Sequence, residues 1–336
     1  MNAARRLIFR SSPALVEMES FELPDLQANQ ILVENTCTQV SAGSEANFLR
    51  FGPQSYGLPH GTERANIGYM AVGRIVAAGR EVKDFRIGDR VTTGTGHASH
   101  SLVEVTPSAA IDLVPDGVSD EVAGFASLGD VALHGVRRAA LQIDQSVMVF
   151  GLGIVGQLVL QLARISGAHP LIAVDLMNER LDLAVKNGAQ ATINPTERDP
   201  VLAIRELTRG AGADSVFHCA QAASILQTAM ECAADRGSVV LTGSPPGTAN
   251  IRLKEELLRK ELRITGTYET GMNQPHPYWP WSRSRNRRAC LRLMAEGSLR
   301  VEPLLTHVLP AEKAPEMYQT MLKDSRGWLG IVYRWK

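Results

Sequence analysis

The sequence predicts two domains of different texture. An all-β domain is formed by residues 1–120 and 272–336, and an α/β domain with a doubly wound parallel sheet lies between them over 121–271. Three observations lead there. The first third of the chain breaks into short β-branched runs separated by glycines. The middle alternates apolar strands with helical segments. Between the first of those strands and its helix lies a Gly-x-Gly-x-x-Gly bend. A length of 336 residues agrees, since a chain of this size divides into about two domains, each able to bury its own core.

Residues 5–110 read as β-segments. Ile31–Asn35, Tyr69–Ala77, Arg90–Thr93 and Ser101–Val105 are rich in β-branched side chains and bounded by Gly, Pro, Asp or Asn. Glycines recur from Gly52 to Gly96 and suit the tight turns of a compact barrel. Helical spacing begins at Asp120–Ala140, followed by strand Ser146–Phe150, helix Gly156–Ser166, strand Leu171–Asp175 and helix Asn178–Asn187. Strand Ala191–Asn194, helix Pro200–Arg209, strand Ser215–Cys219, helix Ala222–Ala233 and strands Ser238–Gly243 and Leu262–Thr267 continue the alternation. These strands are unbroken apolar runs, as a sheet covered by helices on both faces requires, and right-handed crossovers then wind it twice. After an aromatic, Pro-rich loop at Gln274–Trp281 come helices around Arg288–Glu296 and Ala311–Lys323 and a β-like tail, Trp328–Trp335.

Composition narrows the function. Lys plus Arg and Asp plus Glu both number 35, so the net charge is zero and there is no global field for nucleic acid or an anionic membrane. No apolar run reaches the roughly 18 residues of a spanning helix, and the N-terminus lacks the apolar core of a secretion signal. Cys37, Cys219, Cys232 and Cys290 are scattered without a Cys-x-x-Cys pair, which argues against a disulfide scaffold or zinc knuckle. The expectation is a cytoplasmic protein acting on a small molecule.

The bend carries the strongest chemical signal. Strand SVMVF runs into Gly151-Leu152-Gly153-Ile154-Val155-Gly156, and a helix follows. Gly151 permits the tight turn, Gly153 lets backbone approach a pyrophosphate, and Gly156 lets helix pack on strand. The diphosphate would meet the amides of Ile154 and Val155 at the helix start, where free N–H groups and the helix dipole favour anions. Asp175, about 20 residues on, is placed to accept from the adenosine ribose hydroxyls, and it would repel a 2′-phosphate, so NAD is favoured over NADP. Arg180 nearby weakens that preference.

Further stretches accompany the bend: Val40-Ser41-Ala42-Gly43-Ser44-Glu45, Gly68-Tyr69-Met70-Ala71-Val72-Gly73-Arg74-Ile75-Val76-Ala77-Ala78-Gly79, Gly88-Asp89-Arg90-Val91 and Ala132-Leu133-His134-Gly135-Val136. With them the chain resembles the medium-chain dehydrogenase/reductase superfamily, which includes alcohol, sorbitol and threonine dehydrogenases. The resemblance implies a GroES-like β-barrel domain holding the substrate and a Rossmann domain holding a nicotinamide cofactor. It also implies a homodimer joined edge to edge near Leu262–Thr267.

The chain departs from the zinc-dependent members of that superfamily. Where they carry Cys-Gly-Ser-Asp it has Ala42-Gly43-Ser44-Glu45, and where they carry Gly-His-Glu it has Gly68-Tyr69-Met70. A further ligand would fall near Ser127, with Asp130 close by, and the four-cysteine structural lobe is absent from the sequence. Catalytic zinc takes three ligands from thiolate, imidazole or carboxylate, so the resemblance implies a zinc-free member with no metal. Developing charge on the substrate oxygen must then be met by hydrogen-bond donors. The candidates are Ser44, at the family's proton-relay position, Tyr69, His97, His100 and His134. Each has a plainer reading. Tyr69 could fill the volume of metal and imidazole, His97 and His100 could be solvated loop residues, and His134 could pack beside the nicotinamide.

The run Ser282–Arg288 holds Arg283, Arg285, Arg287 and Arg288. It reads either as a solvated helix start or as a clamp in which Arg285 and Arg287 bind an anionic substrate. Tyr278 and Trp279 read as a pocket wall or a subunit contact. The function expected is a zinc-independent, NAD-dependent oxidoreductase moving hydride between nicotinamide and a secondary alcohol or ketone, on a polyol, sugar-derived or ring hydroxyl. Two alternatives stand beside it: a zinc-free quinone- or enoyl-type C=C reductase, and a non-catalytic NAD(H)-binding protein.

Overall fold

The computed structural model describes residues 3–11, 14–53, 58–268, 278–324 and 326–336. Its chain divides into two compact units. Unit 1 takes residues 1–127, 271–296 and 301–336, and unit 2 takes 128–270 and 297–300.

Unit 1 begins with β1 (Ala4–Ser11), β2 (Ala14–Phe21), β3 (Gln30–Val40), α1 (Ala42–Phe51), β4 (Arg64–Asn66), β5 (Ala71–Ala78), β6 (Arg90–Thr93), β7 (His100–Glu104), β8 (Ile111–Leu113) and a short α2 (Asp120–Ala123). Helix α3 (Ala126–Ala139) leads into unit 2. There follow β9 (Val147–Phe150), α4 (Ile154–Ile165), β10 (Leu171–Val174), α5 (Asn178–Lys186), β11 (Ala191–Ile193), α6 (Pro200–Leu207), β12 (Ala213–His218), α7 (Ile225–Cys232), β13 (Ala233–Leu241) and β14 (Arg263–Gly266). The last stretch supplies α8 (Arg283–Ala295), β15 (Leu305–Pro310), α9 (Ala314–Lys323) and β16 (Gly330–Arg334).

In unit 2 the six strands lie in the order β11-β10-β9-β12-β13-β14, all parallel. This is the order of a Rossmann sheet, with its switch point between β9 and β12, where a loop after each strand opens in opposite directions. Every residue of β9 and β10 is buried, which explains their unbroken apolar sequence. One face packs Met148, Phe150, Ile172 and Val216 against Ala203 and Ile204 of α6 and Ala229 and Met230 of α7.

Unit 1 is organised by the long β3. Residues 30–34 of β3 pair with β7 and 37–40 with β16 on one edge, while β5 runs along the other, all antiparallel. A separate three-stranded sheet has the order β2-β1-β4. The core joins Leu7 and Phe9 of β1 to Phe48 of α1, Tyr318 of α9 and Ile331 and Tyr333 of β16.

The boundaries differ from expectation for local reasons. Helix α2 lies in unit 1 because Asp120 takes the Thr36 hydroxyl at 2.6 Å and the Arg90 guanidinium at 2.6 Å, so the border falls past residue 120. Residues 297–300 group with unit 2 because Arg300 and Gln161 exchange two hydrogen bonds at 2.8 and 2.9 Å. The expected border at 271–272 and residues 274–277 of the aromatic loop lie outside the described residues. Helix α8 starts five residues early because Ser282 caps it, its hydroxyl accepting from the Arg285 amide. Strands β1, β2 and β15 were not singled out by the sequence pattern. Among the described residues no helix is long and apolar enough to cross a membrane, and the four cysteines are free thiols.

Candidate active site

In unit 2 the chemistry gathers at the end of β9. Gly151 has φ +84°, and a Cβ there would lie 2.7 Å from the Ala220 backbone; one on Gly156 would lie 1.9 Å from the Gly151 carbonyl. Both positions therefore need glycine for the fold itself. Gly153 differs, because a Cβ there would meet nothing within 4 Å. It stands at the N-cap of the twelve-residue α4 with no side chain capping the helix, so the first-turn amides, Ile154 and Val155 among them, have no side-chain acceptor. An open cradle over uncapped amides fits the diphosphate of a dinucleotide.

Asp175 closes that bend. Its Oδ2 accepts from the Leu152 amide at 2.7 Å and its Oδ1 from the Met177 amide at 2.9 Å, while the Arg180 guanidinium stands 3.8 Å from Oδ2. A carboxylate has about four acceptor sites, so each oxygen keeps one for a ribose hydroxyl. At the ends of β12 and β13 the interior is polar. His218 is fully buried, which lowers its pKa, and Thr242 Oγ1 is buried without a hydrogen-bond partner among the described residues. Gly135 of α3 lets the helix come against that hydroxyl, since a Cβ would lie 2.6 Å from it. His134 beside it is pushed down to about 4 by burial and by Arg138 and Arg137. It is a neutral imidazole at neutral pH.

In unit 1 the positions at which the resemblance puts metal ligands have become something else. Ala42 packs against the hydrophobic core. Met70 is buried, and a thioether is not among the thiolate, imidazole and carboxylate ligands that protein zinc sites use. Tyr69 donates its phenolic O–H to Ser41 Oγ at 2.7 Å. Among the described residues no three His, Cys, Asp or Glu side chains come together in a metal-holding group. The donor set does not fit catalytic zinc.

The remaining sequence candidates separate. Ser44 is half-buried in the first turn of α1, but the hydroxyl that meets Tyr69 belongs to Ser41. His97 is not a solvated loop residue. It is buried, with Nδ1 2.7 Å from Thr38 Oγ1 and Nε2 3.3 Å from Glu45 Oε2. His100 sits on β7, where its Nδ1 lies 3.0 Å from Ser99 Oγ, and burial lowers its pKa.

Tyr278 is 90% exposed, which suits a contact rather than a pocket wall within the unit, and Trp279 is half-buried. Arg285 lies over the Trp281 ring at 4.1 Å, and Arg287 forms a buried ion pair with Asp112. Arg287 is thus committed within unit 1, whereas Arg285 is exposed and of the two alone keeps guanidinium donors toward solvent for the anion-clamp reading. Ser41 and Glu45, which the motifs did not single out, join the candidate site through Tyr69 and the Ser41 amide. A serine at the head of a helix, four residues before a glutamate, was the available signal.

Dehydrogenases recur among the known proteins that this chain resembles. A family profile described as zinc-binding dehydrogenase matches residues 155–283. D-guloside 3-dehydrogenase of Escherichia coli (strain K12) is 31% identical over 273 residues, covering 80% of this chain and 77% of that protein. Sorbitol dehydrogenase of Rattus norvegicus is 25% identical over 341 residues, covering 93% and 91%. Among solved structures, a short chain alcohol dehydrogenase of Escherichia coli CFT073 complexed with NADH superposes with a TM-score of 0.82 at 17% identity, over 100% of both chains.

Proposed function

As the chain belongs to the medium-chain dehydrogenase/reductase superfamily of alcohol-, sorbitol- and threonine-dehydrogenase-like proteins, we propose that it oxidises a secondary hydroxyl, or reduces the matching ketone, on a sugar or polyol with NAD(H) and without zinc. The observation that carries the cofactor is the open Gly153 cradle over the uncapped start of α4, with Asp175 at its side. Gly151, Gly153, Ile154, Val155 and Gly156 would hold the diphosphate and Asp175 the adenosine ribose. Asp175 favours NAD, because its carboxylate faces the position of a 2′-phosphate. A bound nicotinamide supplies or accepts the hydride.

The chain's own contribution is to handle the substrate oxygen. A metal would stabilise an alkoxide as a Lewis acid. Here the Tyr69 phenol gives its own proton to Ser41 Oγ and so accepts that of the substrate hydroxyl; in the reverse direction both hydroxyls turn and the phenol donates to the carbonyl oxygen. The substrate class follows from the relatives: one acts on a guloside and another on sorbitol, which both offer secondary hydroxyls beside others.

Reduction of an activated C=C bond is the second reading, favoured by the same phenol, because an enolate needs only hydrogen-bond donors. The test follows NADH consumption by purified protein against 3-keto sugars, polyol-derived ketones and enones side by side, with elemental analysis of the same sample. Ketone turnover in metal-free protein is expected. A product that keeps C=O and loses C=C overturns the first reading, and stoichiometric zinc overturns metal independence. Tight NADH binding without turnover on the whole panel leaves a nucleotide-binding protein.

A further inference from the structure

Ser41 stands at the head of α1 but does not cap the helix with its side chain. Serine at an N-cap normally spends its hydroxyl on a first-turn amide. Here the hydroxyl is turned to Tyr69, and the Ser41 amide is held instead by Glu45 Oε1 at 2.8 Å.

Glu45 is wholly buried and gathers donors from two further segments. Its Oε2 accepts the Tyr318 hydroxyl of α9 and lies 3.3 Å from His97 Nε2. His97 Nδ1 lies 2.7 Å from Thr38 Oγ1, which also accepts the Trp335 indole N–H at 3.0 Å. A threonine hydroxyl that accepts from Trp335 can give its own proton to Nδ1, which leaves Nε2 as the protonated nitrogen facing Glu45. Tyr333 stands near enough for the Glu45 charge to raise its pKa, after burial. The His97 ring also presses on the residue before Tyr69, since a Cβ on Gly68 would lie 2.5 Å from it. Both members of the hydroxyl pair are thus set from one buried cluster.

We propose that Glu45 is a positioning residue for the Ser41–Tyr69 pair. It holds the Ser41 amide so that Ser41 Oγ takes the phenolic proton. This rests on the reading of Tyr69 given under the proposed function. When a substrate hydroxyl is oxidised, its O–H bond breaks and the proton passes to Tyr69 Oη. The Tyr69 proton moves to Ser41 Oγ, and the Ser41 proton leaves to water. The C–H hydrogen leaves with its electron pair to an oxidised nicotinamide. The Glu45 side chain meets Ser41 at its amide and the Glu45 amide meets the Ser41 carbonyl at 2.8 Å, so neither contact reaches Ser41 Oγ and Glu45 stays out of the proton chain.

The test needs no substrate. A fluorotyrosine at position 69, whose phenol ionises nearer neutral pH than tyrosine's, is titrated by fluorine NMR, with NADH affinity measured on the same samples. Ser41→Ala is expected to move the midpoint by about half to one pH unit, the scale of one hydrogen bond. Glu45→Ala should move it in the same direction and by a similar amount, and the double variant no further than either alone. Glu45→Gln, which keeps an acceptor for the Ser41 amide, should restore most of the wild-type midpoint.

Shifts that add in the double variant, or equal shifts in Glu45→Gln and Glu45→Ala, would show a through-space charge effect and overturn the proposal. An unmoved midpoint in Glu45→Ala would do the same. If Glu45→Ala does not fold, Tyr318→Phe loosens the same carboxylate, and its shift must vanish in the Ser41→Ala background. Absent NADH binding in wild type would sink the proposed function and leave this coupling readable.

Discussion

The Arg287 guanidinium lies 2.5 Å from the Asp112 carboxylate with almost no solvent on either side chain, and Ser284 adds a hydrogen bond to the same carboxylate at 3.0 Å. The pair ties α8 to β8 within unit 1. Burial raises the Asp112 pKa even against Arg287, the sign of a carboxylate whose desolvation outweighs its partner. Removing one member leaves an uncompensated buried charge. Arg287→Ala is expected to lower unfolding stability by about 3–5 kcal/mol, while replacing both members with apolar side chains of similar volume should cost far less. Urea unfolding of the single and double variants checks this. A stable Arg287→Ala with a raised KM for an acidic substrate would instead restore the clamp.

The three glycines of the bend should respond differently to alanine. Gly151→Ala places a Cβ at φ +84° against Ala220, and Gly156→Ala drives one into the Gly151 carbonyl. Both should lower the melting temperature by several degrees. Gly153→Ala has room and should melt like wild type, yet it should weaken NADH binding about tenfold or more, because the methyl occupies the space a diphosphate needs. Thermal melts and NADH fluorescence titrations read the two effects separately. Unchanged NADH affinity in Gly153→Ala would remove the diphosphate from this cradle.

Those glycines were legible in the sequence because their roles are local: strand, bend and helix are neighbours, and each requirement is set within a few residues. The parallel sheet was legible for the same reason, its strands being apolar runs at regular intervals. The candidate site in unit 1 was much less so. Ser41 acquires its role from Tyr69 and Glu45 from Tyr318, a residue far along the chain that the fold returns to α1. The spacing of Arg283, Arg285, Arg287 and Arg288 looked like a charged face, because nothing nearby in the sequence announces Asp112. His97 stood as a candidate donor with a solvated-loop reading beside it, and only the fold shows that it is interior. Side chains that draw their meaning from distant partners leave no periodic trace.

Asp175 should govern cofactor choice through two separable effects. Asp175→Ser removes the charge that disfavours a 2′-phosphate and also slackens the bend, which loses its tether at the Leu152 amide. NADH affinity is expected to fall about tenfold or more, with NADPH affinity falling less or rising as Arg180 is released from its carboxylate. Parallel fluorescence titrations with both cofactors decide it. An unchanged NADH to NADPH ratio would show that Asp175 serves the loop alone.

His134 gives a pH dependence of known sign. Its folded pKa of about 4 lies below the ordinary value near 6.5, so between those values the unfolded chain binds a proton that the folded chain refuses. The stability is present above about pH 6.5 and is lost as pH falls toward 4, by about 3 kcal/mol in all. Replacing His134 with Gln should flatten that part of the stability curve, measured by urea unfolding at pH 7 and pH 5. His100, His218 and His307, all lowered chiefly by burial, keep a residual slope of the same sign. A His134→Gln curve parallel to wild type would mean that the imidazole is not held neutral.

Tyr69 and Ser41 should separate chemistry from binding. Tyr69→Phe keeps the ring that fills the former ligand position and removes only the hydroxyl that donates to Ser41. Proton transfer by a positioned side chain contributes about a hundredfold or more, so kcat should fall by at least that much while NADH affinity stays within about twofold. Ser41→Ala should cost less, about tenfold, because the phenol remains and loses only its held orientation. Ser44→Ala should cost less still, since the hydroxyl that meets Tyr69 is not its own. Steady-state kinetics on whichever ketone the enzyme accepts gives the ranking. If Ser44→Ala were the most damaging of the three, the proton would leave through the first turn of α1 rather than through its N-cap.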